Sequence, residues 1–397
     1  MLSQKTIEIV KSTAPVLEVK GTEITSVFYN NLFTNHPELL NIFNHANQKR
    51  GRQQTALANT VYAAAQHIDK LETILPVVKQ IAHKHRSLGV KPEHYPIVGE
   101  HLLQAIKQVL GEAATDEIIE AWGEAYGVIA GVFINVEEEM YKEAGYRDFK
   151  TFVVSEKVEE SDVITSFYLQ PKEGGDVPAY IPGQYISVRV TIPGEEFTHI
   201  RQYSLSSAPR QDFFRISVKK EAEFDPIGKV SNFLHEKIEA GSEIEVSAPA
   251  GDFHLEEGQS PVALISGGVG ITPMMSMLDT IARNIPERKT TFIHASKHEG
   301  VHAFRDEVDT LMDELVNGET CYIYENPHDE SQSHFQGYVN KDILSQYVDE
   351  GTTCYVCGPA PFMKAVISTL KEMGVTTIHF EFFGPAMDLS KVESVPV

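Results

Sequence analysis

The stretch IAHKHRSLGVKPEHYPIVGEHL, Ile81 to Leu102, carries four histidines in twenty-two residues. Its reading decides whether the first third of the chain is a plain helical domain or one built around a ligand. On a helix covering Ile74 to Leu88, the apolar stripe is Ile74, Val78, Ile81, Ala82 and Leu88. His85 continues that stripe, four residues after Ile81 and three before Leu88. His83 falls on the other side with Pro76, Lys79, Gln80 and Ser87. His94 and His101 share a face with Gln104 and Gln108, so His83, His94 and His101 are expected at the surface. A lone inward histidine is most often a satisfied core residue, and helical phase alone leaves that reading open. Zinc is disfavoured for His85, because no cysteine and no second inward histidine at ligand spacing accompanies it.

Outward from this stretch, residues 1–146 read as helix throughout, with breaks at Gly21, Pro37, Gly51, Gly89 and Gly111. Pro92 suits the first turn of the helix after Gly89. Residues 147–259 change to short alternating runs with Gly/Pro turns (TFVVSEKV, GQYISVRV, FRISVKK, SEIEVSAP), the pattern of a small antiparallel β-barrel. Residues 260–397 alternate strands with helices, which implies a parallel sheet. The expected fold class is therefore multidomain: all-α, then antiparallel β-barrel, then α/β.

At 397 residues the chain is too long for one ordinary core. The net charge of −22 is uneven: residues 1–150 hold 15 Lys+Arg against 18 Asp+Glu, and the remainder holds 19 against 38. No basic block is present for a phosphate backbone, which argues against nucleic-acid binding. No run approaches the roughly 18 apolar residues of a membrane span. The beginning of the sequence lacks a secretory layout, and three cysteines (Cys321, Cys354, Cys357) fit a reducing cytosol, so a cytoplasmic location is expected.

In the last third, ALISGGVGITPMMSML runs a buried strand into Gly267, Gly268 and Gly270, and Pro273 opens a helix. Such a turn lets backbone approach a pyrophosphate, and the helix N-terminus offers it free N–H groups. A tight βα turn without a ligand is the plain alternative. The barrel region contributes RQYSLSS (Arg201 to Ser207), where arginine can fork onto phosphate, tyrosine can stack on a flat ring and serine can hydrogen-bond a ring nitrogen. IGKVSNFLH then places Gly228 and Ser231 at a loop-to-helix start. Cys354 and Cys357 form a CxxC that could be redox-active, metal-binding or simply structural; lying within a strand with no partner pair, they read best as structural thiols.

In this order, followed by CYVCGP and FEFFGP, the motifs resemble those of the ferredoxin–NADP reductase superfamily. The resemblance implies FAD at Tyr185, Arg201, Gln202, Tyr203 and Ser204, with Gly228 and Ser231 on its pyrophosphate. It implies NAD(P)H at Gly268, Val269, Gly270, Ile271, Thr272, Pro273, Cys357 and Gly358, and a cofactor-side role for Phe382, Phe383, Gly384 and Pro385. Ile227 departs from the pattern, standing where a second glycine is expected. Lys297, after TTFIHAS, could meet a 2′-phosphate, but no arginine cluster selects NADPH over NADH.

The helical domain, with its phenylalanines and one inward histidine, resembles a globin, and the domain order resembles the flavohaemoglobins across essentially all 397 residues. That resemblance implies haem b with His85 as proximal iron ligand, and Tyr29, Phe43, Gln53 and Leu57 lining the distal pocket. Independently, Tyr126, Ile129, Phe133 and Glu137 recur at helical spacing, which puts Glu137 on an apolar stripe where a carboxylate needs a partner. The family places a tyrosine and a glutamate behind the proximal histidine, and Tyr95 and Glu137 match them. Lys84 and Glu381 match family positions at the haem–flavin junction, although each could be a solvated charge.

The resemblance implies a nitric oxide dioxygenase: NAD(P)H reduces FAD, FAD reduces haem iron, and oxygen converts nitric oxide to nitrate. An oxygen- or nitric-oxide-binding sensor or store, and an NAD(P)H-dependent haem, flavin or ferric reductase, are the alternatives. A monomer acting on small molecules is expected. Whether the apolar distal pocket takes a lipid or an azole is left open by the sequence.

Overall fold

Ser3 opens the first helix, α1 (Gln4–Asn35), by accepting the Thr6 backbone N–H on its hydroxyl. The computed structural model describes residues 2–43, 48, 51–223, 227–329 and 333–383. After α1 come α2 (Arg52–Gln66), α3 (Leu75–Leu88), α4 (His94–Leu110) and α5 (Asp116–Glu143). Gly21 permits a close approach of α1 to α2, since a side chain there would meet the Ala58 methyl at 3.2 Å. Thr25 reinforces the crossing by donating to the Gln54 carbonyl at 2.9 Å. The core draws Ile24, Phe28 and Leu32 from α1, Leu102 and Ile106 from α4, and Trp122 from α5. Burial of each such side chain contributes roughly 1.5–3 kcal/mol.

Two details of the opening stretch differ from expectation. Pro96, not Pro92, occupies the first turn of α4; Pro92 lies in the preceding turn, where its carbonyl accepts the Tyr95 N–H at 3.3 Å. His101 is buried, not superficial, at 3 % exposure. One ring nitrogen bonds the Ile97 carbonyl at 2.8 Å and the other bonds Asn35 at 3.0 Å. The helical wheel placed it beside glutamines, but the last turn of α1 covers that face.

By contact density the chain forms two compact units, Met1–Phe149 with Arg189–Arg201 and Lys150–Val188 with Gln202–Val397. The antiparallel sheet contains β1 (Phe149–Glu159), β2 (Ile164–Pro171), β3 (Tyr185–Val190), β4 (His199–Ser204), β5 (Phe214–Lys219) and β6 (Glu243–Ser247). Their order is β4-β3-β6-β1-β2-β5. Leu205, just past β4, bridges Ile216 of β5, so the two outermost strands meet and the sheet closes into a barrel. Helix α6 (Lys229–Lys237) follows β5.

The parallel sheet comprises β7 (Val262–Gly267), β8 (Thr290–Ser296), β9 (Gly318–Tyr324), β10 (Phe335–Gln336), β11 (Thr353–Cys357) and β12 (Ile378–Glu381), in the order β10-β9-β8-β7-β11-β12. Helices α7 (Ile271–Asn284), α8 (Arg305–Asp313), α9 (Lys341–Tyr347) and α10 (Ala360–Glu372) cover its two faces, as an all-parallel sheet requires. Leu264, Phe292 and Met274 pack on one face; Ile265, Ile293 and Met363 pack on the other. Cys354 and Cys357 are three apart on β11, so they point to opposite faces, one into each core. Burial pushes the Cys354 thiol up to about 12 and the Cys357 thiol well above its ordinary value.

Within the second unit, the barrel and the parallel domain are fastened by buried polar contacts. Arg215 of β5 holds Glu307 of α8 in a two-pronged pair at 2.8 and 2.9 Å. The buried Asp279 carboxylate of α7 accepts the Ala208 N–H at 2.8 Å. Among the described residues, no helix is long and apolar enough to cross a membrane.

Candidate functional site

Helix α3 ends where Gly89 takes a left-handed conformation (φ 76°) and the Val90 N–H reaches back to the His85 carbonyl at 3.0 Å. This ending fixes the backbone of His85 one turn from the terminus. On its ring, Nδ1 lies 2.9 Å from a Glu137 carboxylate oxygen and 3.1 Å from the Tyr95 hydroxyl. Tyr95 donates to that same carboxylate oxygen at 2.5 Å. Glu137 is 3 % exposed, while Glu139 of the same turn is exposed. An unpaired carboxylate at such a depth would be strongly unfavourable, and the phenol and imidazole offset that. Burial, and then the Glu137 charge, hold the Tyr95 phenol far above its ordinary range, so it stays a donor. Phe133 packs at 5.6 Å from the His85 ring and closes the group.

Two residues that hold this arrangement carry no chemical signature of their own. The Tyr126 hydroxyl donates to the Tyr95 carbonyl at 2.6 Å, and Gly99 makes room, since a side chain there would collide with the Tyr126 ring. A glycine inside α4, where it disfavours the helix by roughly 1 kcal/mol relative to alanine, was the signal available in the sequence.

Tyr29, Phe43 and Leu57 share one core, and Gln53 lies in the first turn of α2. Tyr29 is buried, with its ring 5.7 Å from both Phe33 and Phe43. Burial raises its phenol well above the ordinary value, and its hydroxyl bonds the Gln48 side chain. Leu57 is partly buried against the same core. The Gln53 Oε1 atom is buried with no hydrogen-bond partner among the described residues. These features fit a haem. His85 keeps one ring nitrogen uncommitted, its side chain is still 32 % exposed on an otherwise apolar stripe, and an orphaned amide oxygen awaits a partner. Lys84 and His83 are half-buried on α3.

In the barrel, Arg201, Gln202 and Tyr203 are half-buried along β4 and Ser204 is buried. Strand alternation sets Arg201 and Tyr203 on one face and Gln202 and Ser204 on the other. Tyr185 lies against Gly251, where a side chain would approach its ring at 3.0 Å. Gly228 caps α6; a side chain there would crowd Ser231 Oγ and Glu221 at 2.7 Å. The Ser231 hydroxyl donates to the Gly228 carbonyl at 3.1 Å and accepts the Glu221 N–H at 3.2 Å. Ile227, the departure from pattern, is 55 % exposed. A glycine-opened helix start of this form fits a flavin pyrophosphate.

At the end of β7, Gly268 has φ 52° and Gly270 leads directly into α7. A side chain at Gly270 would collide with the Cys357 carbonyl and approach the Gly358 nitrogen at 2.8 Å. Gly267 and Gly358 are likewise pressed against the Phe362 ring. Val269 is half-buried, and Ile271, Thr272 and Pro273 are buried in the first turn of α7. Thr272 donates to the Val269 carbonyl at 3.1 Å. The turns after β7 and β11 therefore abut at the carboxyl edge of the sheet, where dinucleotides bind in such folds. Glu381 and Phe382 are half-buried, Phe383 is 49 % exposed, and Gly384 and Pro385 lie outside the described residues. Lys297 is paired with the Glu223 carboxylate at 2.9 Å.

Comparison with known proteins matches residues 26–133 to the globin family, 151–255 to the oxidoreductase FAD-binding domain and 264–368 to the oxidoreductase NAD-binding domain. A flavohemoprotein of Bacillus thuringiensis subsp. konkukian is 56 % identical, with 98 % of this chain and all of that protein aligned. The chain belongs to the flavohemoprotein family. The crystal structure of the flavohemoglobin of Malassezia yamatoensis, with bound FAD and heme, superposes with a TM-score of 0.87 at 28 % identity, covering 96 % of this chain and 100 % of that one. The FAD/NAD-binding domain of a nitric oxide dioxygenase from Vibrio cholerae gives 0.57 at 39 % identity, covering 60 % of this chain and 100 % of that one. As a family member the chain is an oxidoreductase built from a haem-type globin domain, an FAD domain and an NAD domain.

Proposed function

We propose that this chain is a nitric oxide dioxygenase, converting nitric oxide and oxygen to nitrate at the expense of NAD(P)H. The observation that carries the reading is the buried Glu137 carboxylate, joined at once to Tyr95 and to Nδ1 of His85. When bound, haem supplies an iron that takes single electrons and binds diatomic gases, and FAD takes a hydride from NAD(P)H and releases electrons one at a time.

His85 is the residue to hold the iron. Its Nδ1 proton is shared with Glu137, which lends the imidazole anionic character and makes it a stronger electron donor through its other nitrogen. That favours reductive activation over reversible carriage of oxygen. On the other side, the Tyr29 hydroxyl and the Gln53 carboxamide would orient a small polar substrate by hydrogen bonding. Tyr185, Arg201, Gln202, Tyr203, Ser204, Gly228 and Ser231 would hold the flavin. The segment Gly268–Pro273, with Cys357 and Gly358, would hold the nicotinamide nucleotide. Lys84 and Glu381 are assigned to the haem–flavin junction, and Phe382 and Phe383 to the cofactor side, by family position alone. A passive sensor or store would have no use for the reductase half.

The test is NADH-dependent consumption of nitric oxide by the holoprotein, with and without oxygen. Stoichiometric nitrate only when oxygen is present is the expected result. Failure to form nitrate at submicromolar nitric oxide would sink the assignment.

A further inference from the structure

Outside these sites, His, Cys, Asp and Glu side chains converge on one more point among the described residues. One donor atom each from His298, Glu299 and His328 lies within 4.8 Å of the others. His298 and Glu299 follow β8, which ends at Ser296, and His328 follows β9, which ends at Tyr324. Two neighbouring strands of the parallel sheet therefore deliver the group to its carboxyl edge.

The three side chains are held in place by contacts other than chance proximity. The Glu299 carboxylate accepts the His328 N–H on one oxygen and the Asp329 N–H on the other, each at 3.1 Å. This clamps the turn after β9 to the turn after β8. Backbone N–H groups, its own foremost, hold the Glu299 carboxyl below its ordinary value, so it stays anionic near neutral pH. The two imidazoles stack with centroids 4.3 Å apart and planes 27° from parallel. His298 Nδ1 is buried and has no hydrogen-bond partner among the described residues. Beside it lies space that only glycine leaves: a side chain at Gly300 would stand 3.2 Å from that nitrogen and 2.5 Å from an Asp162 carboxylate oxygen.

We propose that His298, Glu299 and His328 form a binding site for a borderline divalent transition metal, of which zinc is the representative. Two neutral imidazoles and one carboxylate are a donor set zinc accepts, with a fourth position left to water or a ligand. His328 is largely exposed, so the metal can enter directly from solvent. Zinc bonds of about 2.0–2.1 Å set donors roughly 3.3 Å apart, so donors now within 4.8 Å of one another close further on the metal.

The experiment is equilibrium dialysis of the full-length holoprotein against zinc in a chelator-free buffer. One equivalent should bind at micromolar free zinc. His298→Ala and His328→Ala should each weaken it by at least about tenfold, while His67→Ala, at an exposed histidine of the other unit, should not. Retained haem and flavin absorbance would show that each variant is folded. Zinc K-edge absorption on the unaltered protein is an independent check, with two imidazole scatterers expected in the coordination shell. The proposal is overturned by absence of a stoichiometric site, by affinity in the His298→Ala and His328→Ala variants unchanged from the unaltered protein, or by a shell of oxygen ligands alone. None of these readouts depends on nitric oxide or NADH turnover.

Discussion

Replacing Glu137 by glutamine removes a charge from behind His85 while barely changing the volume. In the native chain one carboxylate oxygen accepts from both Tyr95, at 2.5 Å, and His85 Nδ1, at 2.9 Å. Hydrogen bonds to an ionised group contribute about 1.5–3 kcal/mol, against about 0.5–1.5 for neutral ones. The substitution therefore weakens each bond by about 1 kcal/mol, or about 2 kcal/mol for the pair. Were all of this felt only by the more oxidised iron, the haem midpoint potential would rise by about 85 mV, at 59 mV per tenfold change for one electron. Part of the effect is shared by both redox states, so 85 mV is a ceiling on the order of magnitude. The assay is spectroelectrochemical titration of the Glu137→Gln holoprotein, paired with resonance Raman measurement of the iron–histidine stretch. A positive shift in potential with a lower stretching frequency is expected. If both stay at their native values in a folded, haem-replete variant, the reasoning from carboxylate to imidazole is wrong.

Other perturbations address the remaining sites. His85→Ala should lose the haem spectrum while retaining flavin absorbance; normal haem binding would rule out this ligand. Gly270→Ala forces a methyl onto the Cys357 carbonyl, so the two turns must separate, an overpacking cost of about 1–3 kcal/mol. Reduction of the flavin by NADH, followed by stopped flow, should slow markedly while FAD remains bound. The buried thiols make a prediction about pH. Burial lifts Cys321 and Cys354 from 9.0 to about 12 and lifts Cys357 well above 9.0. Above pH 9 the unfolded chain releases protons that the native chain keeps, so stability should fall as pH rises from about 9 toward 12. The native protein should also resist thiol-specific alkylation at pH 8, and rapid labelling there would contradict the burial.

Architecture was legible in the sequence because hydrophobic period changes twice, from helical spacing to strand alternation and then to alternating units. His85 and Glu137 could be found because each interrupts an apolar stripe at a position that must face inward. Tyr95 could not be found that way. Its burial depends on how α4 meets α5, and no local period encodes that meeting. His101 failed for the same reason, since the last turn of α1 covers a face that looks polar from within α4. The His298–Glu299–His328 group escaped because its members are separated by a strand and a helix and meet only at the sheet edge. The CxxC misleads in the opposite direction: its spacing suits a turn, and on a strand it divides the two sulfurs between opposite sides.

The gap at Gly99 has a consequence for how this domain can vary. Tyr126 fills the volume that any other residue at 99 would claim, and its hydroxyl anchors the chain at Tyr95. The pair acts as a spacer gauge between two helices, keeping the phenol in reach of the carboxylate. Positions 99 and 126 should therefore drift together or stay still across related sequences. A lone change at either would be felt as an altered iron potential before it was felt as a loss of fold.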